Sequence, residues 1–195
     1  DVKSRIEEFN DLAGHEHIHK GMTSRDLTEN VEQLQAFRSL QILQTKVASG
    51  VIRLTGKAVE YKDILISGRT HNVAAQPTTF GKRLAMYAEE LTLGLERLES
   101  LAANYPVRGL KGAVGTQLDS LTRFEGDQDK VAQLEQKVVK HLGISKVFTN
   151  VGQVYPRSLD FETVSTFVQL SSRMTEFDQQ LGLLACPELA AAGVA

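Results

Sequence analysis

Residues 23–62, TSRDLTENVEQLQAFRSLQILQTKVASGVIRLTGKAVEYK, decide the fold. Within them Leu27, Val31, Leu34, Leu40, Leu43, Val47, Val51 and Leu54 recur mostly at steps of three and four, which places them on one face of an α-helix. Thr23 or Ser24 offers the hydroxyl that caps such a helix at its start. Carried from about residue 25 to 62, the pattern makes a rod roughly 55 Å long at about 1.5 Å per residue, despite Gly50 and Gly56 inside it. A rod of that length cannot cover its own apolar stripe, so the spacing predicts partner helices.

Those partners are readable on both sides. Toward the start, Val2, Ile6, Phe9 and Leu12 make a short helix that Gly14 stops. Further on, a helix beginning near Pro77 and Thr78 carries Phe80, Leu84, Tyr87, Leu91, Leu95 and Leu98 and closes at residues 104–106. Helical spacing returns at Val131, Leu134, Val138 and Leu142, and again at Leu159, Val164, Phe167, Leu170, Met174, Phe177, Leu181 and Leu184. There is no sustained strand-like alternation, no internal repeat, and no low-complexity tract beyond the Ala-rich end. The fold class is all-α, a bundle of long helices.

A length of 195 residues is enough to bury one sizeable core and requires no second domain. The 22 basic and 24 acidic residues are nearly balanced and form no like-charge block, which gives no footing for nucleic acid or for an anionic membrane surface. Cys186 is the only cysteine, so no intrachain disulfide can form, and a reducing, cytosolic compartment suits the chain. No apolar run approaches the roughly 20 residues of a membrane-crossing helix, and the opening DVKSRIEEF is charged rather than leader-like. A soluble, cytoplasmic protein is expected.

Two segments stand out chemically, HIHKGMTSRD at 17–26 and GRTHNVAAQPTTFGKRLA at 68–85. Each sets a histidine beside Thr, Ser or Arg donors at the edge of a helical pattern, the surroundings that an anionic substrate with an amine leaving group requires. His15, His17 and His19 invite a metal reading, but no Cys, Asp or second His pair matches them elsewhere, and solvated histidines in a connector are the plainer account. Thr23 and Ser24 open a helix whose exposed N–H groups and dipole favour an anion, although capping alone also explains them. His71 follows the apolar run at 64–66; an imidazole suits proton donation to a leaving nitrogen, while taken alone His71 also fits a structural histidine. GLKGAVGT at 109–116 lacks the G-x-x-x-x-G-K-[ST] order and follows a helix rather than a strand, so it predicts a backbone bend and not a phosphate loop. VGQVYPRSLDFE at 151–162 reads as a polar loop before a helix, with Gln153 and Arg157 in it.

Together these segments resemble the adenylosuccinate lyases of the fumarase and aspartase superfamily, from Asp1 to about residue 175. The TSRD and GRTHNVAAQPTTFGKR wording favours that family over argininosuccinate lyases, fumarases and aspartases, which share the architecture. Lys111, Gly112, Gly115 and Thr116 match a family segment whose small residues let the chain pass close to the active site. The resemblance implies the superfamily's helical bundle and a β-elimination that releases fumarate from adenylosuccinate, and from the related succinyl-carboxamide ribotide, in purine biosynthesis. It makes His71 the general acid that protonates the purine N6. It gives substrate-binding roles to Asp1, His19, Thr23, Ser24, Thr70, Gln153 and Arg157, with Thr23, Ser24 and Thr70 at the substrate carboxylates. His15 and His17 inherit no role. It implies no metal, no organic cofactor, a nucleotide substrate as the small-molecule partner, and a homotetramer whose active sites each draw on three subunits.

Set against the family pattern, the chain is expected to be a central piece. Residues 1–20 would end an amino-terminal helical region and its connector, and 21–195 would form the central bundle domain. The histidine that precedes the aspartate matched by Asp1, the nucleotide-binding amino-terminal part and the GSSxMPxKxN loop with the serine base are not in this sequence, so the chain by itself is expected to be inactive. A non-catalytic helical scaffold and a sister lyase yielding fumarate from another substrate are the alternatives.

Overall fold

The computed structural model describes residues 2–71 and 73–184. Asp1 and Cys186 lie outside the described residues, as does the side chain of Leu184. The helices are α1 (Val2–Ala13), α2 (Ser24–Glu60), α3 (Phe80–Asn104), α4 (Leu118–Arg123), α5 (Gln128–Leu142) and α6 (Ser158–Leu184). α2 runs unbroken for 37 residues through Gly50 and Gly56, as its apolar stripe predicts. The all-α expectation holds, with short strands added: an antiparallel hairpin of β1 (Leu65–Thr70) and β2 (Val73–Thr79), and a two-residue parallel pair of β3 (Pro106–Val107) and β4 (Lys146–Val147).

The hairpin corrects one expectation, that helix resumes near Pro77 and Thr78. Ile66, Thr70, Val73, Thr78 and Thr79 are β-branched and favour extended backbone. In a two-stranded ribbon every strand is an edge, where a proline such as Pro77, paired with Ser67, is tolerated. A register shift between Gly68 and Arg69 interrupts the alternation that would have marked the strands in the sequence. α3 therefore starts at Phe80, whose N–H donates to Ile64 O at 2.8 Å, and the Gly81 N–H donates to Tyr61 O at 2.9 Å.

The chain forms two compact units, one drawn from residues up to Ser39 and from Ala102–Ser158, the other from Leu40–Leu101 and from residue 159 onward. In the first, Val107, Val139 and Ile144 are the core, with Leu34, Phe37, Leu142 and Val147 packed against them. α5 is capped at its start by Asp127, whose carboxylate accepts the Lys130 N–H at 3.0 Å, and at its end by Gly143 in the left-handed conformation.

In the second unit the buried hydrophobic positions are Leu40, Val47 and Ala58 of α2, Leu84, Ala88, Leu98 and Leu101 of α3, and Leu159 and Leu170 of α6. α3 and α6 approach closely at Gly94, where a Cβ would meet Leu170 Cδ2 at 2.6 Å. Tyr87 and Phe177 meet edge-on at 5.0 Å, and the Arg173 guanidinium donates to Glu90 O at 2.7 Å. Burial along α6 follows Leu159, Thr163, Thr166 and Leu170. Val164 and Met174, placed on the inward stripe by spacing, are each 58% exposed, because two threonines that bond back to their own helix at Leu159 O and Glu162 O take the inward face.

Candidate functional site

The first unit gathers several of the expected residues around the start of α2. Thr23 precedes the first helical residue, Ser24, and its N–H donates to Asp26 Oδ2 at 2.8 Å, an acidic side chain closing back on the helix start. The connector before it turns through His19, with φ 68°, and the Met22 N–H donates to His19 O at 3.3 Å. His19 is half-buried, and its Nε2 is enclosed with no hydrogen-bond partner among the described residues. His15 and His17 are exposed and stacked at 4.8 Å, and Lys20 Nζ lies 3.1 Å from His17 Nδ1. Among the described residues no three metal-ligating side chains come together.

The inward face of the first two turns of α2 is polar. Asp26, Glu29, Asn30 and Gln33, at the spacing expected of core positions, are all buried, whereas Val31 of the sequence stripe is exposed. Each buried side chain binds backbone far along the chain. Asp26 Oδ1 accepts from the Lys111 N–H at 2.8 Å, from the Gly112 N–H at 3.2 Å and from the Arg108 guanidinium. Asn30 makes a reciprocal pair with Gly109, its Nδ2 donating to Gly109 O and its Oδ1 accepting the Gly109 N–H, both at 2.9 Å. Gln33 Oε1 accepts the Arg108 N–H at 2.7 Å, and Gln33 Nε2 donates to Pro106 O at 3.2 Å.

Arg108 is fully buried. Besides Asp26, its guanidinium donates through Nη2 to Gly112 O at 2.8 Å and to Gly152 O at 3.1 Å. One side chain therefore joins the start of α2, the bend at 109–116 and the residue preceding Gln153. The bend itself is as expected from the sequence. Gly109, Gly112 and Gly115 all have positive φ, and Gly115 lies so close to Val151 O that a Cβ would sit 1.9 Å from it. Lys111 is buried against Glu135 at 2.8 Å, and Glu135 also accepts the Leu110 N–H at 2.9 Å.

The Gln153 and Arg157 stretch is tied to the same helix a turn later. Glu29, fully buried, accepts from Arg157 Nη2 at 3.0 Å, from Arg25 Nη1 at 2.9 Å and from the Tyr155 N–H at 3.2 Å. The Arg157 guanidinium lies over the Tyr155 ring at 4.4 Å. Gln153 itself is exposed. Arg25, Arg108, Lys111 and Arg157 thus pair with Asp26, Glu29 and Glu135 beside a helix N-terminus. That arrangement suits an anion.

The second unit holds Thr70 and His71. Both are exposed, Thr70 at the end of β1 and His71 on the turn that follows, with φ 51°. A positive φ is what a two-residue turn between the paired Thr70 and Val73 requires. Asp1, expected at the substrate, lies outside the described residues. Sequence reasoning passed over Asp26, Glu29, Asn30, Gln33 and Arg108. Only Asp26 carried a readable signal, the Thr23-x-x-Asp26 capping pattern; the others look like ordinary solvated positions of a long helix or connector until the fold buries them.

With this geometry in view, the chain can be set beside known proteins. The family model described as Lyase matches residues 2–192. The chain is 37% identical over 169 residues to an adenylosuccinate lyase of Schistosoma mansoni, covering 86% of this chain and 35% of that protein. It is 34% identical over 168 residues to an adenylosuccinate lyase of Saccharomyces cerevisiae, covering 86% and 35%, and 30% identical over 184 residues to one of Archaeoglobus fulgidus, covering 94% and 40%. The chain spans about a third of the length of the first two of these relatives. Among solved structures, a 3-carboxy-cis,cis-muconate lactonizing enzyme from Pseudomonas putida superposes with a TM-score of 0.82 at 20% identity, covering 97% of this chain and 42% of that one. A fumarate lyase from Mesorhizobium sp. BNC1 gives 0.76 at 19% identity, covering 96% and 46%. At such identities these neighbours establish the shared helical fold. The match from residue 2 to residue 192 shows that the chain belongs to the lyase family.

Proposed function

We propose that this chain serves the adenylosuccinate lyase reaction, the β-elimination that releases fumarate from adenylosuccinate and from the succinyl-carboxamide ribotide in purine biosynthesis. A base removes the proton from the carbon beside one carboxylate, the carbon to nitrogen bond breaks, and its electron pair goes to the purine N6. His71 supplies the proton that N6 takes up, leaving fumarate and AMP from adenylosuccinate. Thr23, Ser24 and Thr70 hold the carboxylates, and His19, Gln153, Arg157 and Asp1 take part in binding. The observation that carries this reading is the buried polar cluster, which fixes the Thr23–Ser24 helix start, whose N–H groups and dipole favour an anion, to the Gln153–Arg157 stretch.

The same reading carries a homotetramer and a cytoplasmic location. Ile42, Ile52 and Val59 of α2, Met86 and Leu93 of α3, and Phe161, Val164 and Val168 of α6 leave apolar surface exposed on each long helix of the second unit, which supports further packing between copies. Among the described residues no helix is long and apolar enough to cross a membrane.

The test uses the protein as encoded by its gene, supplied separately with adenylosuccinate and argininosuccinate, with fumarate release followed. Fumarate from adenylosuccinate is the expected result. Release from argininosuccinate alone would make it a sister lyase, and release from neither would leave a helical scaffold.

A further inference from the structure

We propose that the buried Asp26–Arg108 pair positions the carboxylate-binding start of α2 against the Gln153 loop, so that it controls substrate affinity without touching substrate. The inference rests on the adenylosuccinate lyase reading and adds residues to which that reading gives no part.

Three observations converge on it. Asp26 is 2% exposed and Arg108 0%, so neither is placed to meet a ligand. Their side chains join three segments, of which the first carries and the last borders expected binding residues: the Thr23 N–H at the helix start, the N–H groups of Lys111 and Gly112 and the Gly112 carbonyl in the bend, and the Gly152 carbonyl next to Gln153. The charge balance matters as well. A carboxylate in the first turn of a helix offsets the positive end of the helix dipole, about half an elementary charge, and would weaken the hold of that end on an anion. Arg108 cancels the Asp26 charge and leaves the N–H groups near Ser24 to act on the ligand. A hydrophobic pair of similar size would fill the space but would neither span three segments nor set their separation. Only a planar guanidinium reaches Asp26, Gly112 and Gly152 at once; an ammonium at the same place acts as a compact point donor.

The experiment compares wild type, Arg108→Lys and Asp26→Asn in the protein as encoded by its gene, at a temperature where circular dichroism shows all three folded. The readouts are kcat and KM for adenylosuccinate and the inhibition constant of fumarate. Both variants are expected to raise KM and weaken fumarate inhibition by about tenfold or more, with kcat within about threefold of wild type, because a positioning loss acts on ground state and transition state alike. A variant that merely folds less well loses kcat in proportion to its folded fraction and keeps its KM; that result, with fumarate inhibition unchanged, overturns the inference and leaves the lyase reading intact. If Arg108→Lys does not fold, the near-isosteric Asp26→Asn decides alone. If wild type turns over no adenylosuccinate, the lyase reading falls, and calorimetric fumarate binding by the same proteins decides: weakening by about tenfold sustains the pair's role, while equal or absent binding ends it.

Discussion

Arg108 and Asp26, 82 positions apart in sequence, close an ion pair sealed from solvent that ties the start of α2 to the bend at 109–116 and to Gly152. The Asp26 carboxylate accepts from four donors, and the Arg108 guanidinium reaches three carbonyls, of Gly109, Gly112 and Gly152, besides the carboxylate.

A buried charge that loses its partner is costly because neither water nor another cation can replace it. Arg108→Met should therefore destabilise the protein by about 3–5 kcal/mol, read as a fall in the urea midpoint. A loss below about 1 kcal/mol, the level of an exposed ion pair, would contradict the burial of this one.

Gly115 and Gly143 both have positive φ, at 88° and 73°, but only Gly115 is crowded, with Val151 O where its Cβ would be. Gly143→Ala should cost about 1 kcal/mol, the ordinary penalty for left-handed alanine. Gly115→Ala should cost more than about 2 kcal/mol, since the 151–153 strand of loop must also move. Equal costs in thermal melts would show that the bend does not pack against Val151 as described.

Much of this was legible in the sequence, and the rest was hidden for physical reasons. The three- and four-residue spacing of Leu40, Leu43, Val47, Val51 and Leu54 announces α2 because burial on one face of a helix leaves a periodic trace. Gly14 announces a helix end because few other residues adopt left-handed backbone. The β1–β2 hairpin left no such trace, since a bulge breaks its alternation and most of its residues are exposed. Asp26, Glu29, Asn30 and Gln33 occupy core spacing with polar side chains, and polarity in sequence argues for solvent until the partners at 106–112 and 152–157 are known. The histidine at position 71 was legible by motif, while its left-handed backbone was not.

Val47 is 6% exposed in the second unit, so Val47→Glu buries a carboxylate at an apolar position and should unfold the chain or dissociate its oligomer. Glu60→Lys changes an exposed side chain and should leave both the melting temperature and the molar mass unchanged. Light scattering over a dilution series checks both, and wild type is expected as a tetramer. A monomer at micromolar concentration would contradict the shared bundle.

Asp127 tests the pH dependence. The Lys130 backbone N–H and side chain hold its carboxyl below the ordinary range, so the folded value is depressed relative to the unfolded chain. Its contribution is present above the unfolded pKa of about 3.9 and is lost as pH falls through the folded value. Asp127→Ala should accordingly lower the melting temperature at neutral pH, with the difference from wild type shrinking in acid. A difference that stays constant down to the acid limit would mean that the cap acts without its charge.

The central claim is that His71 donates the proton to the departing nitrogen, and the kinetics of His71→Gln in the protein as encoded by its gene test it most directly. Proton donation matters in the transition state, so kcat for adenylosuccinate should fall by about 10²–10⁴-fold with KM within a few-fold of wild type. A loss confined to KM, or turnover that survives the substitution, would contradict the account.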